Sequence, residues 1–114
     1  MILKKIGLNH KGKKIFLDVF DCNKFERGRG LMFCQKKNAK ILMFDLKKPS
    51  RKAIHSFFVF FNFVAVWCDE KDKVLEVKII HSFNPLINPK IRWTKLIEIP
   101  ISQKYRKEIK LLCS

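Results

Sequence analysis

Residues 54–72 read IHSFFVFFNFVAVWCDEKD, and the apolar run inside this stretch decides the class of the fold. A helix that crosses a bilayer needs about 20 apolar residues, whereas this run covers only residues 57–68 and contains Asn62. Its Phe, Val and Trp residues favour strands, and their positions lack the period of a helix. We therefore predict two buried strands, 56–60 and 63–68, with a bend between them and no membrane span.

The segment after this run predicts the next strand. The acidic cluster at 69–72 is typical of a turn. Residues 73–80 then alternate, as a strand does when it buries one face and exposes the other. The two faces carry Val74, Glu76 and Lys78, and Leu75, Val77 and Ile79. Residues 63–80 are therefore predicted to form a hairpin.

Short strands dominate the rest of the chain. Four further segments have strand patterns: 2–8, 14–20, 41–46 and 95–99. Three segments have turn or loop composition: 9–12, the basic 47–52 and the proline-containing 85–89. The first two strands are therefore expected to form a hairpin around the turn at 9–12.

Two short helices are predicted among these strands. Asn23 can cap a helix near 23–30, where Glu26 completes a capping-box pair. Gly28 and Gly30 end that helix. Near-helical spacing of apolar residues also predicts a short C-terminal helix, on the basis of Ile101, Tyr105, Ile109 and Leu112.

Residues 1–114 have the size of a single domain, and no repeat or linker divides them. Many short strands with little helix predict a mainly all-β fold, an antiparallel sandwich or barrel. The alternative is a two-layer α+β domain in which the terminal segment is a long packed helix.

The charge is strongly positive: 25 Lys and Arg residues face 10 Asp and Glu residues, a formal net charge of +15. Such a balance indicates nucleic acid or an anionic membrane surface as a partner. A compositional origin explains the same numbers, because Lys, Ile, Phe and Asn are the residues of AT-rich codons. Both interpretations stay open at the level of sequence.

The cysteines predict no disulfide framework and no metal site. The chain contains Cys22, Cys34, Cys68 and Cys113, with no CxxC pair and no His at zinc-ligand spacing. The acidic turn at 69–72 lacks the Gly and the further Glu of a calcium loop. The N-terminal residues contain no apolar signal region and no cleavage site, so we expect no secretory signal. We therefore expect a cytoplasmic protein with reduced thiols and no cofactor.

Several segments in this order resemble a known family of small prokaryotic proteins, the domain-of-unknown-function family 192. They are FERGRGLM at 25–32, ILMFDL at 41–46, the stretch at 54–77, and KLIEIP at 95–100. The resemblance covers roughly residues 13–100. It implies a β-sandwich of jelly-roll type, and it implies no particular activity.

Some residues match the family's pattern and others depart from it. The matches are Arg27, Gly30, Leu31 and Met32 in the first turn, His55, Phe57 and Phe58 in the Phe-rich strand, and Asp69 at the acidic strand end. The departures are Val59, Phe60, Asn62 and Val64, where the family has Met, a basic residue, Pro and Asp. The polar residues that would line a shared site are thus partly replaced.

Two sets of residues are candidate sites. The first is an anion or ligand pocket formed by Arg27, Arg29, Gly30, His55 and Asp69. Arginines beside open glycine backbone can bind an anion, and a histidine can act as a general base. The structural alternatives are a solvated glycine turn, a hydrogen-bonded histidine at a strand end, and a solvated acidic turn.

The second set is a nucleic-acid surface formed by Lys47, Lys48, Arg51, Lys52, Arg92 and Trp93. Trp93 beside basic residues could stack on a base, or it could cover one end of the core. The many phenylalanines between residues 57 and 63 also suggest a self-association surface.

The functional prediction is therefore a non-enzymatic binding or interaction module. The first alternative is a basic protein that binds nucleic acid without sequence preference. The second is an enzyme or small-molecule binder that uses the arginine turn and His55.

Overall fold

The computed structural model describes residues 2–21, 40–50, 62–81 and 91–113. Six strands appear in these ranges: β1 (Ile2–His10), β2 (Lys13–Asp21), β3 (Leu42–Ser50), β4 (Phe63–Cys68), β5 (Val74–Ile80) and β6 (Trp93–Pro100). A single 3-10 turn at Gln103–Tyr105 then leads into the helix α1 (Arg106–Cys113). The mainly-β prediction and the short C-terminal helix are confirmed.

The six strands form one sheet in the order β1-β2-β3-β6-β4-β5, which curls into a half-barrel. A two-sheet jelly roll is not confirmed, and the helix α1 is much shorter than the α+β alternative requires. The predicted helix near 23–30, the strand at 56–60 and the loop at 85–89 lie outside the described residues.

The prediction of a purely antiparallel sheet is wrong at one place. β2 pairs with β3 in parallel, through Phe20 with Leu42 and Asp21 with Met43. A parallel pair requires a crossover of a dozen or more residues. The connection from Asp21 to Leu42 is long enough for that crossover, whereas a short hairpin connection would have forced the antiparallel arrangement.

The first hairpin turns more tightly than predicted. Lys11 and Gly12 form a two-residue turn with φ values of 50° and 78°. Positive φ at both central positions is the geometry of a type I′ turn, which matches the twist of the flanking strands. The strands therefore extend one or two residues further into the predicted turn.

The predicted basic loop at 47–52 is in part a continuation of β3. Between the pairs Asp45 with Lys95 and Ser50 with Trp93, the register shifts. Several residues of β3 oppose Thr94 alone, so the strand bulges, and Lys47 has a φ of 65° there. Bulges of this kind redirect side chains at the end of a strand.

The concave face of the half-barrel holds an inner core. Alternate residues of the strands contribute to it, among them Leu8, Leu17, Met43, Val66 and Ile97. Tyr105 and Leu112 pack onto the same cluster from the C-terminal helical segment. The amphipathic α1 therefore covers the open side of the curled sheet.

The convex face of the central strands is buried as well. An outer core contains Phe44, Phe63, Trp67, Trp93 and Leu96. Every residue of β4 is buried, because β4 lies between β5 and β6 with both faces covered. This position explains why 63–68 reads as a continuous apolar run. In the described ranges, no helix is long and apolar enough to cross a bilayer.

Candidate functional site

Exposed charge on the described part of the chain is almost entirely positive. Of its nine acidic residues, only Asp18 and Glu70 are exposed. Its exposed basic residues are Lys4, Lys5, Lys11, Lys13, Lys14, Lys40, Lys47, Lys48, Lys71, Lys73, Arg92, Lys104, Arg106, Lys107 and Lys110. The other seven acidic residues are buried or half-buried, whereas most of the described lysines and arginines are exposed.

Asp69 shows how a carboxylate is used inside the fold. Its Oδ1 accepts hydrogen bonds from the backbone N–H groups of Lys71, at 2.8 Å, and Lys73, at 2.9 Å. Asp72 in the same turn has a φ of 64°, a conformation that Asp tolerates better than most residues. Asp69 therefore fixes the turn between β4 and β5, which is a structural role.

Asp72 and Lys95 form a partly buried ion pair at the same end of the half-barrel. The Lys95 Nζ donates to the Asp72 Oδ1 at 2.5 Å. Burial opposes the charge on Lys95, but the hydrogen bond and attraction to Asp72, with help from Asp45, outweigh it and raise its pKa. Lys95 therefore stabilises the fold through this ion pair and is not an exposed positive charge that could contact a partner.

The two described cysteines have the properties of packing residues. Cys68 is buried in the inner core beside the ion pair. Burial, reinforced by the negative charge of Asp72, raises the pKa of its thiol to about 12. Burial also raises the pKa of Cys113 at the end of α1. Both thiols stay protonated at neutral pH, which is the opposite of what a cysteine nucleophile needs.

The predicted nucleic-acid surface is assembled in part. Lys47, Lys48 and Arg92 are exposed around the bulge of β3 and the start of β6. Lys47 lies 3.5 Å from Asp45, which also accepts a hydrogen bond from its backbone N–H. Trp93 is only 2% exposed and packs in the outer core, so its ring covers the core and is not available for stacking on a base. Arg51 and Lys52 lie outside the described residues.

Of the five residues of the predicted anion or ligand pocket, the structure describes one. Asp69 is described and belongs to the turn between β4 and β5. Arg27, Arg29, Gly30 and His55 lie outside the described residues, and the phenylalanines from Phe57 to Phe61 do as well. Within the described ranges, no group of three His, Cys, Asp or Glu side chains comes together that could hold a metal ion.

A pair of lysines that the sequence did not single out lies where the chain enters β3. The Lys104 ammonium lies close to that of Lys40, and this neighbouring like charge lowers the pKa of Lys40. The Lys104 ammonium also lies 5.4 Å from the centroid of the Tyr105 ring. Two ammonium groups held side by side form a local positive charge that an anion would relieve.

This pair continues into a basic helix. Arg106, Lys107 and Lys110 follow Lys104 and are exposed on α1, whereas Leu112 anchors the helix in the inner core. We call Lys40, Lys104, Arg106, Lys107 and Lys110 the helix-side basic cluster. Residues 64 positions apart in the chain meet here, which is why the pattern of the sequence alone did not reveal the cluster.

A cleft of about 420 Å³ runs beside β5. It is lined by His10, Lys11, the segment 74–77, Ile79, Leu112 and Cys113. The Nε2 atom of His10 is buried and has no hydrogen-bond partner among the described residues. The cleft therefore lies where the hairpin tip, the outermost strand and the end of α1 meet.

Comparison with known proteins supports the fold and no more. No protein-family model matches the chain, and no curated protein matches it either. The resemblance to family 192 is still a prediction from the motifs. Two solved structures are similar to this chain over most of its length.

The first is a protein of unknown function from Novosphingobium aromaticivorans, with a TM-score of 0.72 and 9% identity, covering 92% of this chain and 77% of that one. The second is a Sinorhizobium meliloti protein that is provisionally described as a transcription regulator. Its TM-score is 0.71 at 11% identity, covering 90% of this chain and 81% of that one. At these identities the likeness concerns the fold alone.

Proposed function

We propose that this domain is a non-enzymatic binding module whose partner is the phosphate backbone of nucleic acid. The observation that carries the proposal is the separation of charge, with fifteen basic and two acidic side chains exposed among the described residues. A surface of this kind attracts a polyanion without reading its sequence.

Two surfaces supply the phosphate contacts in this proposal. One is the helix-side basic cluster, where the paired ammonium groups of Lys40 and Lys104 face the same anion. The other is the bulge surface, formed by Lys47, Lys48 and Arg92. Base stacking on Trp93 is not part of the proposal because that ring is buried.

Two further points favour this function over the alternatives. The described thiols are protonated, so they do not support an enzyme with a cysteine nucleophile. The fold is shared with a protein provisionally described as a transcription regulator. Membership of family 192 belongs to the same proposal, with Arg27 and Arg29 as further anion contacts.

The test is binding to labelled single-stranded DNA and RNA, measured by fluorescence anisotropy for matched double variants. Lys40→Gln with Lys104→Gln removes the lysine pair, and Lys47→Gln with Lys48→Gln alters the bulge surface. Each pair is expected to reduce the slope of log K against log salt concentration by about 1 per lost phosphate contact.

The control is Lys71→Gln with Lys73→Gln, which removes the same charge from exposed positions in the acidic turn. This pair is expected to leave the slope almost unchanged, because the carboxylates of Asp69, Glu70 and Asp72 in the same turn offset its charge. Equal losses in all three double variants would show that only net charge matters. That result would overturn the assignment of the contacts to these two surfaces.

A further inference from the structure

β5 is the outermost strand of the described sheet, and most of its free side has no neighbouring strand there. On that side β1 reaches it only at Asn9, which bridges to Lys73 and whose N–H donates to the Asp72 carbonyl at 2.9 Å. From Val74 onward the edge borders the cleft. Ile79 is 54% exposed there. Such an edge is a template for another strand where charge, Pro or a bulge does not protect it, and the bulge at Leu75 protects only the start of β5.

The segment that contains β5 has almost no net charge, so a second copy of this basic chain can approach it. Residues 62–81 carry four acidic side chains, Asp69, Glu70, Asp72 and Glu76, against three basic ones, Lys71, Lys73 and Lys78. Each of the other three described ranges has an excess of basic residues. The β5 edge is therefore where two copies of this strongly basic chain can approach with the least repulsion.

The sequence of β5 is complementary to itself in one antiparallel register. When Val77 faces Val77 of a second copy, Glu76 faces Lys78 and Lys78 faces Glu76. One step further the complementarity ends, because a β-bulge places Leu75 against the outer core, whereas Val77 packs against the inner core and Ile79 pairs with Val64 of that core. Directly opposite residues in an antiparallel pair lie on the same face, and opposite charges there are favourable.

Two other antiparallel registers would also keep the same faces of the two strands on the same side of the sheet, but like charges disfavour both. A shift of one pair in one direction places Glu76 opposite Glu76, and a shift in the other direction places Lys78 opposite Lys78. Glu76 and Lys78 already form an ion pair at 3.1 Å within one chain. In the favoured register the two pairs combine into a ring of four alternating charges.

We propose that a second copy of this chain pairs with β5 through its own β5, antiparallel and centred on Val77, so that two half-barrels share one continuous sheet. This surface differs from the phenylalanine-rich segment, and the pairing does not depend on nucleic acid. The register shift between Trp67 and Cys68 leaves Leu75 as an extra residue, which limits the regular pairing about Val77 to the stretch 76–78. The contact is therefore small, and the association belongs to the weak, transient class.

The test is a charge-swap experiment by analytical ultracentrifugation, without nucleic acid. Glu76→Lys and Lys78→Glu each place like charges opposite each other in the homodimer, and each is expected to weaken self-association by about tenfold or more. Mixing the two variants restores opposite charges across the interface. The mixture is therefore expected to associate at least as strongly as the wild-type protein.

The double variant Glu76→Lys with Lys78→Glu is the internal control, because it reverses both charges and keeps the self-complementary pattern. It is expected to self-associate like the wild-type protein. Circular dichroism of each single variant checks that the fold is retained. A wild-type protein that stays monomeric at millimolar concentration would overturn the proposal. Failure of two folded single variants to associate on mixing would also overturn it.

Discussion

Cys68 illustrates what burial does to a single ionisable residue in this fold. Its thiol lies on the inner face of β4 beside the Asp72–Lys95 ion pair. Burial first, and then the nearby carboxylate of Asp72, raise the pKa of the thiol from its ordinary value of 9.0 to about 12. The folded state thus holds this proton more tightly than the unfolded state does, so the stability it contributes is lost at alkaline pH.

This difference predicts an alkaline loss of stability. The contribution of Cys68 is fully present below pH 9, where the unfolded thiol keeps its proton, and it falls as the pH rises towards 12. At pH 10 the loss from this residue is about 1 kcal/mol. Urea unfolding at pH 8 and pH 10 measures it.

The variant Cys68→Ala provides the comparison for that measurement. It lowers the stability at both pH values by leaving a cavity, but its free energy of unfolding is expected to depend less steeply on pH. Tyr105 and Cys113 titrate in both proteins, so their contributions cancel in the difference. The charge of Lys95 interacts with that of Cys68, so its pKa belongs to the pH dependence that the substitution changes. Identical pH dependence in the two proteins would show that Cys68 keeps an ordinary pKa.

The turn between β1 and β2 depends on the backbone conformation of two residues. Lys11 and Gly12 both have positive φ, and only the second is a glycine. Lys in this conformation is strained, whereas Asn-Gly is the preferred pair for a type I′ turn. A Cβ added at Gly12 would meet no atom within 4 Å, so the cost of a side chain there is purely conformational.

Two substitutions in this turn are therefore expected to have opposite effects. Lys11→Asn should raise the free energy of unfolding by roughly 0.5 kcal/mol, and Gly12→Ala should lower it by about 1–2 kcal/mol. Thermal unfolding followed by circular dichroism measures both changes. A stabilising Gly12→Ala variant would contradict the turn geometry.

The elements could be predicted where burial leaves a clear apolar pattern in the sequence. The apolar run at 63–68, the alternation after Asp72 and the spacing that ends at Leu112 each predicted an element that is present. The bulge in β3 could not be predicted, because KKPS has the composition of a loop. Nor could the parallel pairing of β2 with β3, which depends on how the chain crosses over between them.

The candidate sites were less accessible to sequence reasoning. Of the two roles predicted for Trp93, the structure confirms the one in which its ring covers the core. The sequence could not choose between them, because the burial of Trp93 depends on residues that are distant in the chain. Lys40 and Lys104 meet only through the packing of α1 against the half-barrel, and no local pattern contains that contact. Charge composition predicted the kind of partner, but its distribution over the surface required the fold.

At the scale of the whole molecule, the half-barrel separates two kinds of charged surface. Carboxylates cap turns or form ion pairs, as Asp69 and Asp72 do, and the exposed exterior is left basic. The β5 edge is the near-neutral exception. The fold thus has extended positive surfaces, at which we propose polyanion binding, and one edge of near-zero net charge, at which we propose self-association.

The most direct test of this account is the salt dependence of binding to single-stranded RNA and DNA by the wild-type protein. We expect binding that weakens steeply between about 50 and 200 mM salt, with a slope of log K against log salt concentration of about −3 or steeper, which corresponds to at least four phosphate contacts. Absence of binding at the lower salt concentration, or an affinity that does not change with salt, would contradict the proposal that the basic exterior is a nucleic-acid surface.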